Sequence, residues 1–296
     1  MNILVSGHLN IETTVSIEKF PIDYFPITYP SMGVNSNVSG VGCNVAKALK
    51  ALGDNVDLVS YIGNDDDSER VLKDLERSGI STDNIIRGLI KTCASVILFA
   101  PDGRRQIYSD LKDVQNHTVN VDRLREKLKN VDAAAICNIN YNRSLIKAAH
   151  EMGVLVATDV HVLSDINDNY NRDFVENADI LFLSDEHLPC AAEEFIMRLY
   201  ERYHNKVIVI GMGAKGALLL DSGRTVFVDA YKKSVVLNTV GAGDALFSSF
   251  LHFYTKGLTA EESLRRAVIF AGLKIGFNGA SLGFSSESEI ERLIRE

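Results

Sequence analysis

The chain reads as an α/β protein built on a mostly parallel central sheet, and three observations predict it. Short, β-branched apolar runs recur: NILVS, VDLVSYI, AAAIC, VLVATDV, DILFL and KVIVIGM. Runs this apolar suit strands buried on both faces. Helical patterns alternate with them, as a sheet covered by helices requires. With 296 residues, 46% of them hydrophobic, the chain supports one large domain spanning residues 1–296.

Taken in order, the helical patterns fall at residues 44–52, 68–78, 143–152, 191–203, 242–255 and 260–275. The first three run into Gly53, Gly79 and Gly153, where a left-handed C-cap is wanted. Two segments break the rhythm. Residues 10–38 alternate apolar and polar side chains and hold three of the five prolines. Residues 92–110 read as two strands joined at the turn signal PDG. Half-polar strands inserted in such a core predict a small separate β-sheet, acting as a lid or a dimer contact. No internal repeat and no low-complexity tract occurs.

A net charge of −8 argues against nucleic acid or an anionic membrane as the main partner. Phosphate-bearing ligands stay compatible, because backbone dipoles and a few basic residues can hold them. Cys43, Cys93, Cys137 and Cys190 are scattered without a CxxC pair, which disfavours a disulfide framework or zinc site and suits a reducing cytoplasm. The opening MNILVSG enters a strand pattern with no basic leader, and no apolar run is long enough to span a bilayer. A cytoplasmic protein is expected.

The stretch LNTVGAGDALF combines a bare turn, Gly241, Ala242 and Gly243, with a lone carboxylate, Asp244, at the mouth of an apolar helix. Amides at a helix start lack intrahelical partners and sum with the helix dipole into an anion site. Small residues keep its approach open. Asp244, which the same field would keep ionised, cannot be there to bind phosphate, since like charges repel. Its fitting task is to take a proton from a hydroxyl that attacks the phosphate.

This motif, NTVGAGDALFSSFL, resembles the C-terminal signature of the PfkB (ribokinase-like) carbohydrate kinases, D-T-x-G-A-G-D followed by a helix. SGVGCNVAKALKALG at residues 39–53 is similar to that family's G-G-x-x-x-N-x-A block, and YIGNDDDSERVLKDLERSGIST to the stretch after it. VIGMGAKGALL at residues 209–219 looks like its nucleotide-site strand and turn. The resemblance covers nearly the whole chain. It implies a ribokinase-like three-layer α/β/α core with a β-sheet lid, and an ATP- and Mg2+-dependent phosphotransferase. Asp244 then matches the catalytic base, and Gly241, Ala242 and Gly243 match the anion hole. Gly40, Gly42 and Asn44 match the block lining the sugar pocket, and Asn10 the N-terminal G-x-x-N-x-D element. Gly211, Gly213 and Gly216 match the turn beside the nucleotide. Gly279 and Ala280 lie where the family closes over adenine and shapes a monovalent-cation loop.

Departures from the pattern are informative. Glu12 stands where the family has an Asp that bonds substrate hydroxyls, so the reach grows by one methylene. Asn238 replaces the first Asp of the C-terminal signature, which leaves an oxygen without charge for a monovalent cation and leaves dependence on that ion open. LSDEHLP lies where the family carries N-x-x-E for magnesium; Ser184 and His187 align with that pair, and Glu186 or Asp185 takes the carboxylate's part if the register shifts. Arg104 and Arg105, at the tip PDGRRQ, are candidate phosphate clamps. His8, His161 and His187 lack metal-ligand spacing and read as structural.

The expected activity is ATP-dependent phosphorylation of a hydroxyl or hydroxymethyl group of a small sugar. A nucleoside acceptor is the alternative, because SGVGCNVAKAL is similar to the G-G-V-x-R-N-x-A block of pseudouridine kinases, with Cys43 in place of the Arg. A sugar-binding regulator without chemistry is the rival from another class; it would have lost Asp244 or its turn. The lid strands are a candidate homodimer contact.

Overall fold

The computed structural model describes residues 1–232 and 236–296. Its strands are β1 (Asn2–Ser6), β2 (Asn10–Ser16), β3 (Val34–Ser39), β4 (Asn55–Ile62), β5 (Ile85–Arg87), β6 (Cys93–Phe99), β7 (Arg105–Asp110), β8 (Ala133–Ile136), β9 (Val156–Asp159), β10 (Ile180–Ser184), β11 (Val207–Gly211), β12 (Gly216–Asp221) and β13 (Arg224–Asp229). The helices are α1 (Val41–Ala51), α2 (Asp66–Arg77), α3 (Val121–Leu128), α4 (Arg143–Glu151), α5 (Arg172–Glu176), α6 (Ala192–Tyr203), α7 (Ala242–Thr255), α8 (Ala260–Lys274) and α9 (Glu287–Leu293).

Nine strands form one sheet in the order β13-β12-β11-β10-β9-β8-β1-β4-β5. From β11 to β5 every pairing is parallel; β12 runs opposite to the rest and pairs antiparallel with both β11 and β13. Successive side chains on a strand point to opposite faces, and the core divides accordingly. Ile3, Val5, Val207 and Val209 pack against α1, α2, α7 and α8 through Leu49, Leu75, Phe250 and Leu264. Leu4, Ile208 and Ile210 face α3 to α6 through Leu128, Ile146, Phe174 and Phe195. The result is a three-layer α/β/α core, as predicted. Among the described residues no helix is long and apolar enough to cross a membrane.

The two segments that broke the sequence rhythm form one smaller sheet, β3-β2-β6-β7, in which β2 pairs parallel with β6 and antiparallel with β3. The link between β2 and β3 carries exposed Ile22, Tyr24, Phe25, Ile27 and Tyr29.

Helix α1 starts three residues earlier than its sequence pattern suggests, because Gly42 lies inside its first turn. A Cβ there would sit 2.3 Å from the Gly7 carbonyl oxygen, so its absence lets α1 abut the chain leaving β1. Gly42→Ala is therefore expected to cost about 1–3 kcal/mol through overpacking, read as a lower urea midpoint at unchanged slope. The sequence pattern also missed α3, α5, α9, β5 and the β12–β13 hairpin.

Candidate active site

The first turns of α1 and α7 meet. Asn44, in α1, donates its side-chain amide to Asp244 Oδ2 in α7 at 2.7 Å, joining residues 200 apart in the chain. Ser39 Oγ, at the end of β3, lies 3.1 Å from Asn44 Oδ1 and 2.9 Å from Glu12 Oε2, both within reach of its one hydrogen. The second oxygen of Glu12 accepts the Ala280 amide at 3.2 Å. A buried polar chain thus runs Ala280, Glu12, Ser39, Asn44, Asp244. Glu12 is 3% exposed with both oxygens engaged by protein, so it braces the smaller sheet against the loop at Ala280. Asn10, two residues away on β2, donates to Ser95 Oγ at 3.0 Å, while its Oδ1 is buried with no partner among the described residues.

The turn before α7 is folded on itself. Asn238 Oδ1 accepts the Val240 amide at 2.9 Å, and the Ala242 amide closes onto the Thr239 carbonyl at 3.2 Å. Gly241 adopts φ 81°, and a Cβ there would lie 2.6 Å from the Ala280 carbonyl oxygen. At Gly243 the nearest atom to an added Cβ is Asp159 Oδ2, at 3.9 Å, so that side of the turn is open. The amides of Gly243 and Asp244 open the helix and have no carbonyl behind them in it.

Burial acts on Asp244 against the helix field. Burial pushes its carboxyl up to about 6, against the pull of His161 and of the Asn44 hydrogen bond, and the Asp159 and Glu12 charges push the same way as burial. Desolvation outweighs the helix terminus because Asp244 is 9% exposed. The group is still mainly ionised at neutral pH and has a raised affinity for protons, which suits a base. Turnover is accordingly expected to fall as pH drops through about 6. Asn44→Ala removes a bond that holds the carboxyl down, so its acid limb should lie at higher pH than the wild type's. An unmoved limb in a pH–rate profile would contradict this coupling.

Sequence reasoning missed Asp159 and His161 and gave His8 and His161 only structural roles. Asp159 ends β9, and His161 Nδ1 lies 3.9 Å from its Oδ2. His8 is pushed down to about 4 by burial and by the His161 charge. The available signal was position: residues just beyond the carboxyl ends of parallel strands line the crevice where α/β sheets bind ligands.

The glycines matched to the nucleotide side lie at that same edge. Gly211 ends β11 and accepts the Asp185 amide at 2.9 Å; Gly213 and Gly216 flank a single 3-10 turn leading into β12. Gly216 has φ 133°, and a Cβ there would lie 2.0 Å from the Val228 carbonyl oxygen. Glu186 is exposed and 3.6 Å from Arg105, while Asp185 is 4.0 Å from Lys215. Arg105 also donates to Thr239 Oγ1 at 3.2 Å, reaching the turn before α7. Arg104 is not brought to this cluster. It bonds Asp102 Oδ2 at 2.7 Å and the Phe20 carbonyl at 3.1 Å, because neighbouring side chains diverge as the hairpin leaves its turn. Gly279, at φ 92°, abuts Asn37 of β3.

Residues 2–287 match the model of the pfkB family carbohydrate kinases. The chain belongs to that family. It is 23% identical over 284 residues to the ATP-dependent ribose-1-phosphate kinase of Halopiger xanaduensis, covering 95% of this chain and 94% of that one. To the acarbose 7(IV)-phosphotransferase of an Actinoplanes species it is 24% identical over 272 residues, 90% of each chain. The solved structure of a microbiome-derived acarbose kinase superposes with a TM-score of 0.88 at 20% identity, covering 100% of this chain and 99% of that one. The pfkB kinases are phosphotransferases with an alcohol acceptor, and this chain is one of them. The ribokinase-like fold read from its motifs is the observed fold.

Proposed function

We propose that this pfkB kinase transfers the γ-phosphoryl group of ATP to a hydroxymethyl or hydroxyl group of a small sugar, in the cytoplasm. The observation that carries this reading is the Asn44–Asp244 bond, which sets a buried carboxylate beside an open helix N-terminus. In this reading Asp244 accepts the proton of the acceptor hydroxyl, Asn44 holds the carboxylate in place, and the amides at the start of α7 receive the negative charge of the transferred group. Asn10 Oδ1, a buried acceptor without a partner, would take a hydroxyl of the sugar, since such an atom otherwise carries a cost of about 1–3 kcal/mol. Gly213, with open space around it, leaves room for the nucleotide in the turn between Gly211 and Gly216, with Gly279 and Ala280 closing over its base.

The magnesium that accompanies ATP neutralises phosphate charge when bound. Glu186 or Asp185 would supply a hard carboxylate oxygen of the kind that suits it. The smaller sheet acts as the lid over the acceptor, and Arg105 ties it to the turn at Thr239. Its exposed Val96, Ile107 and Tyr108 also suit a homodimer contact, which elution mass at micromolar concentration tests.

A panel of pentoses, hexoses, their phosphates and nucleosides, read by ATP consumption, tests the acceptor class. Turnover with a free sugar supports the reading. Turnover confined to nucleosides replaces it with the nucleoside alternative, and binding of sugar without ATP consumption replaces it with the regulator.

A further inference from the structure

Lys274, at the last turn of α8, has no exposed surface, which is unusual for a lysine. Its Nζ donates to the Val240 carbonyl at 3.2 Å, one residue before the turn that opens α7. The next residue, Ile275, accepts the amides of Leu237 and Asn238 at 2.8 and 3.1 Å, so this helix end and the motif loop are stitched together. Burial pushes the ammonium down to about 8, and the Asp244 and Glu12 carboxylates oppose that push, so it is charged at neutral pH. A buried ammonium costs several kcal/mol where an apolar side chain would cost none.

The monovalent cation of related kinases tests poorly against this loop. Asn238 brings no charge; its Oδ1 already accepts the Val240 amide, and its Nδ2 is a buried donor with no partner among the described residues. The Val240 carbonyl is taken by Lys274. A second cation beside the ammonium would be repelled by its like charge.

We propose that Lys274 is a positioning residue whose ammonium takes the place of a monovalent cation, fixing the Val240 carbonyl and lending positive charge behind the turn that receives the phosphoryl group. It reaches no substrate itself; it acts through the turn. The proposal rests on the kinase reading for its purpose, but not for its test.

The test begins with melting of the unliganded wild type in potassium chloride and in tetramethylammonium chloride of equal ionic strength. Equal melting temperatures are expected, whereas a higher one in potassium overturns the proposal. This comparison needs no substrate. A failed acceptor panel with ion-independent melting therefore counts against the sugar reading alone. Once an acceptor is known, wild-type turnover should be the same in both salts. Lys274→Met should lower kcat about 10- to 100-fold with little change in KM, as for a group acting through another. Wild-type kcat in that variant overturns the proposal. The double variant Asn238→Asp/Lys274→Ala, which restores the carboxylate and removes the ammonium, should gain potassium-dependent melting and turnover. Indifference to potassium in the folded double variant also overturns it. The wild-type comparison decides even if Lys274→Met does not fold.

Discussion

Asp244→Asn is expected to lower turnover by roughly 10²- to 10⁴-fold, the range for losing a general base, and to make the protein more stable at pH 7. Both effects come from one cause. The native carboxyl, raised to about 6 by burial, binds a proton more readily than the same group in the unfolded chain near its ordinary value of 3.8. The native state therefore holds more protons between those two values, and stability falls as pH rises through that window. Above it the buried charge withholds on the order of 2–3 kcal/mol. Asparagine is nearly the same shape, can still accept the Asn44 amide, and carries no charge. Urea unfolding at pH 7 and pH 4.5 should show the variant's advantage shrinking at the lower pH. Sugar and nucleotide binding should survive, as calorimetry can check. A variant with wild-type turnover would remove Asp244 from the chemistry.

Gly241→Ala should be the more disruptive change for the architecture of the site. At φ 81° an alanine carries about 1–2 kcal/mol of backbone strain. Its Cβ would also lie 2.6 Å from the Ala280 carbonyl oxygen, which is backbone and cannot swing aside. The loop at Ala280 must move, and that loop is held by Glu12. A loss of about 10²- to 10³-fold in kcat is expected from a displaced anion hole, with a lowered urea midpoint. Gly257→Ala is the matched control: it has φ 93° with open space around its Cβ and lies at the far end of α7. It should show the strain alone, with turnover unchanged. Equal kcat in the two variants would detach the turn at Gly241 from catalysis.

The elements that were legible in the sequence are those whose signal is periodic and local. The six apolar runs all contain strands, and each of the six helical patterns has its helix, with α7 matching both ends. Helix α3 was missed because VDRLREKL buries only Leu124 and Leu128. The β12–β13 hairpin was missed because GALLLD was read as the continuation of a glycine turn. Within the site, the motif residues could be named, but not their partners. No spacing rule links Glu12 to Ala280, or Asp159 to Gly243, since those meetings depend on sheet order. Lys274 was invisible for the opposite reason: a lysine at the end of a helix ordinarily reads as a solvated C-terminal charge.

The bond between Asn44 and Asp244 also has a consequence for biosynthesis. Closing a loop of 200 residues costs roughly 5 kcal/mol of chain entropy, so this contact forms after the sheet that shortens the path. Asn44 leaves the ribosome 200 residues ahead of Asp244. A nascent chain can thus hold Asn44 through 200 residues of synthesis before its partner Asp244 exists. On the proposed reading the chemistry waits for α7 to dock on α1, so a chain that stops before α7 is expected to be inert toward ATP.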